Sequence, residues 1–289
     1  MTDVGSFEQV EYRVEGRLAR VVLNRPQYRN AQSRVLLSEL DAAFAAAAAD
    51  PSVRVIILSG NGPAFSAGHD LGTPEEAEDR ARRARDDVSA TEAQFVYSWD
   101  HFVDLSLRWR DIPKPTIAAV HGWCIFGGWL IASAMDLVVA ADDARFLTAL
   151  LQYFPLPYDV GPRKAKELLF DSQPLSAADA CELGFVNRVV PAASLEDEVV
   201  ALATRIAENN PFYLRMAKLA VNSSQDAMGF RTAVQGAHSH YQLSQMANAQ
   251  WRKRREARGE SFTDTTKTRR MPLVAKVLAR EEGSGDDEG

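Results

Sequence analysis

Residues 53–58, Val-Arg-Val-Ile-Ile-Leu, pass through Ser59-Gly60-Asn61-Gly62-Pro63 into Phe65-Ser66-Ala67-Gly68-His69-Asp70-Leu71. A short apolar run bounded by turn formers suits a strand covered on both faces. Just upstream, residues 33–49 carry Val35, Leu36, Leu40 and Phe44 near helical spacing, with an alanine run of high helix propensity; Asp50-Pro51 stops that helix. Two strand-like runs, 10–14 and 18–23, precede it and are joined at Glu15-Gly16. Strand, helix, strand in this order calls for a crossover between parallel strands, so the fold class is α/β. The plan repeats downstream. Residues 116–120 form a second buried strand, which leads through His121-Gly122-Trp123-Cys124-Ile125-Phe126-Gly127-Gly128 into a helix over 128–135 and a strand over 137–141.

Each of the two glycine turns leads out of a buried strand. A glycine there lets backbone amides point outward, toward an anion or a polarised oxygen. Two such turns at the carboxyl ends of parallel strands are expected to converge on one crevice.

Residues 74–87 are strongly charged and predict a solvated helix face or a mobile segment; a helix is expected next, over 99–109. Beyond Pro162 the pattern turns helical: 164–170, then 176–183 with Ser176 as N-cap and Gly184 as stop, a strand over 185–190, and helices over 195–208, 211–222 and 230–258. The expected division is a core over 1–192, a helical oligomerisation region over 193–262 and a tail over 263–289. Hydrophobic residues make up 46% and the formal charge is -6, which gives no reason to expect nucleic acid as a partner. Cys124 and Cys181 lack metal-type spacing and read as free thiols. His238 and His240 are two apart on one helix and make a poor metal pair, so no metal is expected. No leader and no membrane-length apolar run is visible, and a cytoplasmic protein without membrane contact is expected.

Taken together, the motifs carry a resemblance. Asn24-Arg25-Pro26 with Asn30-Ala31, residues 53–60 and Phe65–Leu71 resemble the first half of a crotonase, the enoyl-CoA hydratase/isomerase superfamily. Lys114–Gly122, Gly127-Gly128, Asp136 and Ala144-Arg145-Phe146 are similar to its second half, and residues 175–190 to its later helix-strand signature. The resemblance implies a crotonase-like spiral of β-β-α repeats with a C-terminal helical oligomerisation region, assembled as trimers or dimers of trimers. It also implies an acyl-CoA thioester substrate lying across Ser66, Ala67 and Gly68, with coenzyme A entering only as part of that substrate. The thioester oxygen would accept hydrogen bonds from the backbone amides of His69 and Gly127.

The resemblance also places the family's two catalytic glutamates at Leu130 and Leu150, and leucine can neither exchange a proton nor orient water. The next segment is altered to Pro155-Leu156-Pro157-Tyr158-Asp159-Val160-Gly161, amid Trp123, Trp129, Tyr153, Phe154 and Tyr158. These aromatics read either as core or, with Leu130 and Leu150, as the wall of a reshaped acyl pocket. Asp159 is the first candidate for a relocated acid/base, and the His69 imidazole the second. Glu92, Tyr97 and Asp100 lie on the segment expected to cover the pocket, and His121 reads as structural. The function expected is that of an acyl-CoA-binding enzyme of the enoyl-CoA hydratase/isomerase type with atypical acid/base residues. The alternatives are a non-catalytic acyl-CoA binding protein and a crotonase-fold carbon–carbon hydrolase acting on a diketone, with His69 as base.

Overall fold

In the computed structural model, which describes residues 7–83, 87–148 and 151–259, the buried runs pair as their order requires. Strands β1 (Val10–Glu15) and β2 (Leu18–Leu23) form an antiparallel hairpin with Val10 opposite Leu23. Its turn uses Gly16 at φ +60°, a backbone region that disfavours a side chain. Strands β3 (Val55–Gly60), β4 (Thr116–Val120), β6 (Leu137–Ala141) and β9 (Arg188–Val190) continue the sheet from β2, every pair parallel.

Alternation along each strand sorts its side chains onto two faces. Ile56, Leu58, Ala118, Val120, Val138 and Ala140 join one apolar core, and Val55, Ile57, Ile117, Ala119, Val139 and Ala141 join the other. The first face is covered by α1 (Arg34–Ala49), which buries Leu36, Leu37, Leu40, Ala43, Phe44 and Ala47. Ser33 caps α1 by accepting from the Leu36 N–H at 3.0 Å. The second face is covered by α9 (Leu195–Ala207), whose Leu195, Val199, Leu202 and Ala203 recur at helical spacing.

The remaining elements follow in the chain. Helix α2 is Pro74–Arg83 and α3 is Ala90–Ser98; a π-helical segment, Trp99–Asp104, leads into α4, Leu105–Arg110. Helix α5 spans Gly127–Ser133. A second, three-stranded sheet joins β5 (Trp123–Ile125), β7 (Arg145–Leu147) and β8 (Leu175–Ser176). Then come α6 (Leu156–Asp159), α7 (Pro162–Asp171), α8 (Ala177–Glu182), α10 (Pro211–Ala227) and α11 (Phe230–Ala257). Residues up to His240 form one compact unit, and a second begins at Tyr241, within α11. No described helix is long and apolar enough to cross a membrane.

The sequence expectations need correction at four places. The charged run is not a solvated face throughout: in α2, Glu76 and Asp79 are buried, and Asp79 is held by Arg34 and Arg83 at 2.7 Å each. The helix expected over 99–109 begins at Ala90 and passes through a π turn. The strand expected from residue 185 begins at Arg188, because the N–H groups of Phe185 and Val186 both bond back to Ala180 O. The second sheet has no counterpart among the expected elements; its strands of two or three residues carry too little periodicity to read. Residues 84–86 and the expected tail lie outside the described residues.

Candidate active site

The two glycine turns meet. Phe65 N–H donates to His121 O, Ser66 N–H to Trp123 O and Ile125 N–H to Ser66 O, at 3.0–3.1 Å, so the first turn is zipped onto the second. Asn30 holds the loop before it, donating from Nδ2 to Asn61 O and Ala64 O at 2.9 Å each. Gly68, at φ +86°, has room for nothing more: a Cβ there would lie 2.7 Å from Ile125 O and 2.8 Å from Gly127 N. Phe126, at φ +53° and ψ −111°, is a non-glycine residue in a region that L residues rarely occupy. Strain of this kind persists only where the surroundings enforce it. It delivers Gly127 against the first turn, where a Cβ would sit 2.3 Å from Gln32 Oε1 and 2.6 Å from His69 Nδ1. Among the described residues no protein acceptor takes the backbone N–H of His69 or Gly127.

The His69 side chain is fully engaged. Nδ1 lies 3.0 Å from Gln32 Oε1 and Nε2 lies 2.7 Å from Gln152 Oε1, while the ring stacks on Phe102 with centroids 3.7 Å apart. Each glutamine can turn either its oxygen or its NH2 to the ring, so the pair satisfies a neutral imidazole in either tautomer. Burial pushes the imidazole pKa down to about 4, against the opposing hydrogen bond to Gln152. Its folded pKa lies below the unfolded one, so the unfolded chain takes up a proton near 6.5 and the folded chain only near 4. Stability is therefore full above 6.5 and falls as pH drops through this window, by on the order of 3 kcal/mol. His69→Gln is expected to flatten that slope in urea melts from about pH 7.5 to 4.5; an unchanged difference across pH would refute the assignment.

Asp70, next in the chain, is bound to a buried arginine. Arg25 Nη1 donates to Asp70 Oδ2 at 2.7 Å, and both side chains are 1% exposed. Arg25 Nη2 reaches Glu75 at 2.8 Å and Thr73 at 3.1 Å, tying the first turn of α2 to the site. Burial opposes ionisation of Asp70, but donors from Thr73, Arg25 and Gly72 outweigh it and hold the carboxyl below its ordinary range.

The altered loop carries a short helix, α6. Asp159 closes α6 with its Oδ2 shut from solvent and without a hydrogen-bond partner among the described residues. Burial pushes this carboxyl up to about 7. Asp159 is near enough to raise the Tyr153 phenol further, although burial is the larger cause there. The Tyr153 and Trp129 side-chain donors are also buried without partners among the described residues. The expected aromatic cluster divides: Trp129 stacks on Phe185 at 4.0 Å and edges Phe146, while Tyr153 and Tyr158 pack on Phe230. Trp123 is buried in β5 and Leu130 in α5. Ser66 is also buried, and its hydroxyl donates to Asn30 O at 2.8 Å and accepts from Gly68 N–H at 3.2 Å. Ala67 N–H donates to Arg29 O at 2.9 Å. His121 Nε2 bonds Gly62 O at 2.8 Å. Leu150 lies outside the described residues. The structure therefore joins Ser66, Gly68, His69 and Gly127 in one constellation and Tyr153, Tyr158 and Asp159 in another; no hydrogen bond or ring contact among the described residues links His69 directly to Asp159.

Sequence reasoning missed Gln32, Gln152 and Phe102. A glutamine or phenylalanine carries no motif; the one available signal is that a buried histidine needs partners for both nitrogens.

Parallel strands whose glycine turns interlock and leave two amides unpaired define an α/β protein with its site at the strands' carboxyl ends. The chain belongs to the enoyl-CoA hydratase/isomerase family, whose model matches residues 13–265. EchA13 of Mycobacterium tuberculosis, assigned by name to the enoyl-CoA hydratases, is 37% identical over 264 residues, covering 85% of this chain and 82% of that protein. The hydroxycinnamoyl-CoA hydratase-lyase of Pseudomonas fluorescens is 31% identical, covering 74% and 78%. The crystal structure of an enoyl-CoA hydratase/isomerase from Xanthobacter autotrophicus Py2 is similar with a TM-score of 0.74 at 33% identity, covering 82% of this chain and 87% of that one.

Proposed function

We propose that this chain is an acyl-CoA enzyme of the hydratase/isomerase type whose thioester carbonyl is polarised by the backbone amides of His69 and Gly127. The observation that carries this reading is the pair of unpaired N–H groups held together by interlocked turns. Negative charge gathers on the thioester oxygen as its α-carbon becomes enolate-like, and each donor aimed at it contributes about 3 kcal/mol in the transition state. Ser66, Ala67 and Gly68 border the thioester in this reading, and Trp123, Trp129, Leu130, Tyr153 and Tyr158 are its candidates for the acyl side.

The acid/base group in this reading is Asp159. A carboxyl pushed up to about 7 by burial can give and take a proton near neutrality. The His69 imidazole is a poor base, because both its nitrogens are engaged and it stays neutral. This argues against a histidine-based diketone hydrolase. Full engagement of His69 and burial of Leu130 also favour a second reading, an acyl-CoA binder without turnover.

One panel of short, medium and aromatic enoyl-CoAs separates the two readings. Turnover, followed by loss of the conjugated-thioester absorbance and by product mass, is expected for the wild type and should be lost in Asp159→Asn. Binding without turnover across the panel selects the second reading, and no binding defeats both. Stability gives an independent check. The raised carboxyl pKa means that the folded chain keeps a proton which the unfolded chain has lost. Asp159 thus favours folding below pH 3.8, and that contribution is lost as pH rises to about 7. Asp159→Asn should therefore be more stable than wild type at about pH 8, by on the order of 4 kcal/mol at most.

A homotrimer or hexamer fits the outward apolar side chains of α10, where Phe212, Tyr213, Leu219 and Val221 are exposed. A solution mass of a single protomer would end this part of the reading.

A further inference from the structure

We propose that Gln152 is a positioning residue for the turn pair: acting through the His69 ring, it fixes the His69 and Gly127 amides relative to each other. The inference rests on the proposed role of those amides and adds the part that holds them. Gln152 is 2% exposed and lies beyond β7, on a segment remote in sequence from both turns. One end of its amide meets His69 Nε2 at 2.7 Å; the other meets Ser98 Oγ at 3.2 Å. Ser98, itself fully buried, is also 3.1 Å from His238 Nε2 on α11. Across the ring, Gln32 binds His69 Nδ1 and reaches Ser66 Oγ at 3.4 Å. A buried polar chain thus runs from α11 through Gln152 and His69 to the first glycine turn.

The chain bears on the amides for a steric reason. Gln32 Oε1 and His69 Nδ1 fill the space beside Gly127, where a Cβ would meet them at 2.3 and 2.6 Å. The ring is therefore a spacer between the two turns, and its placement sets how far apart the two N–H groups stand. Gln32 belongs to the first turn's own surroundings, since its N–H donates to Gly68 O and its carbonyl accepts from Asp70 N–H. Phe102 supports one face of the ring from the π segment, a local deformation common at functional sites. Among the described residues Gln152 alone reaches the outer nitrogen from outside this group, so losing it frees the ring to tip. A buried polar group left unpaired also drives such rearrangement.

The test compares Gln152→Leu, which removes both polar ends, with Gln152→Glu, which keeps an acceptor for the ring. In the free protein, the His69 and Gly127 amide NMR signals should broaden by exchange in Gln152→Leu and stay sharp in Gln152→Glu. With [1-13C]butyryl-CoA, a saturated thioester that cannot be hydrated, the carbonyl stretch should shift to lower frequency on binding to wild type and Gln152→Glu. In Gln152→Leu that shift should be lost. Equal behaviour of the two variants in both measurements overturns the proposal. If Gln152→Leu does not fold, Ser98→Ala, which removes the glutamine's far partner, should broaden the same two amides; sharp signals there overturn it as well. Failure of wild type to bind butyryl-CoA counts against the proposed function alone, because the amide measurement needs no ligand.

Discussion

Gly127→Ala is expected to lower thioester turnover by about two to three orders of magnitude, the usual loss when one oxyanion donor is removed. The side chain added is one methyl group, and the effect comes from where it must go. That methyl would lie 2.3 Å from Gln32 Oε1 and 2.6 Å from His69 Nδ1, distances no carbon can hold. Relief requires the His69 ring to move, the Gln32 amide to leave it, or the Gly127 backbone to withdraw. Each of these separates the two amides from a common point. Overpacking also costs stability, about 1–3 kcal/mol, so turnover must be measured well below the variant's melting range. Gly236→Ala is the control: it lies within α11, an added Cβ would meet no group outside its own helix turn within 4 Å, and it should be neutral or stabilising by about 1 kcal/mol. A Gly127→Ala enzyme retaining more than about a tenth of wild-type kcat/KM would remove Gly127 from the oxyanion hole, since one lost donor costs more than that.

The two turns are legible because glycine and apolar runs are strong local signals. Thr116–Val120 reads as a doubly covered strand, and it is one. His121–Gly128 reads as a turn; the structure sets β5 within it, and its glycines meet backbone oxygens at Gly122 and Gly128 and side-chain atoms at Gly127 that exclude a Cβ. The features that fail to show are set by partners distant in sequence. The charge run at α2 looks solvated until Arg34, 45 residues away, takes Asp79. Trp129 and Tyr153 look like one aromatic wall until Phe185 claims the first and Phe230 the second. The histidine in the first turn reads in the sequence as an amide donor whose imidazole is a candidate acid/base. Its burial between Gln32 and Gln152 depends on segments 37 and 83 residues away, and amide side chains advertise nothing in a sequence.

Arg25→Leu is expected to cost about 3–5 kcal/mol at neutral pH, the penalty for leaving a buried charge without its partner. For a chain of this size that corresponds to a fall in Tm of roughly 10 °C. The orphaned group is Asp70, whose side chain is 1% exposed and keeps only its Thr73 and Gly72 donors once the guanidinium is gone. Glu75 loses its charged partner but keeps the Gln9 side-chain amide, which donates to it at 2.9–3.0 Å, and at about one-third exposed it can also be solvated by water. The pH dependence separates this mechanism from simple loss of packing. In wild type, Asp70 titrates below its ordinary range, so its stabilisation is present above the unfolded carboxylate pKa and is lost as pH falls through the folded value. Without Arg25 the folded pKa rises and part of that contribution is lost, the Thr73 and Gly72 donors remaining. The gap between variant and wild type should therefore be widest near neutral pH and narrow as both carboxyls become protonated in acid. A gap constant from about pH 7 to 3 would mean that the arginine acts through its bulk alone. Asp70 adjoins His69, so the same substitution should loosen the first turn. The expected kinetic mark is weaker thioester binding in Arg25→Leu, partly restored by Asp70→Asn, which removes the charge that the missing arginine left behind.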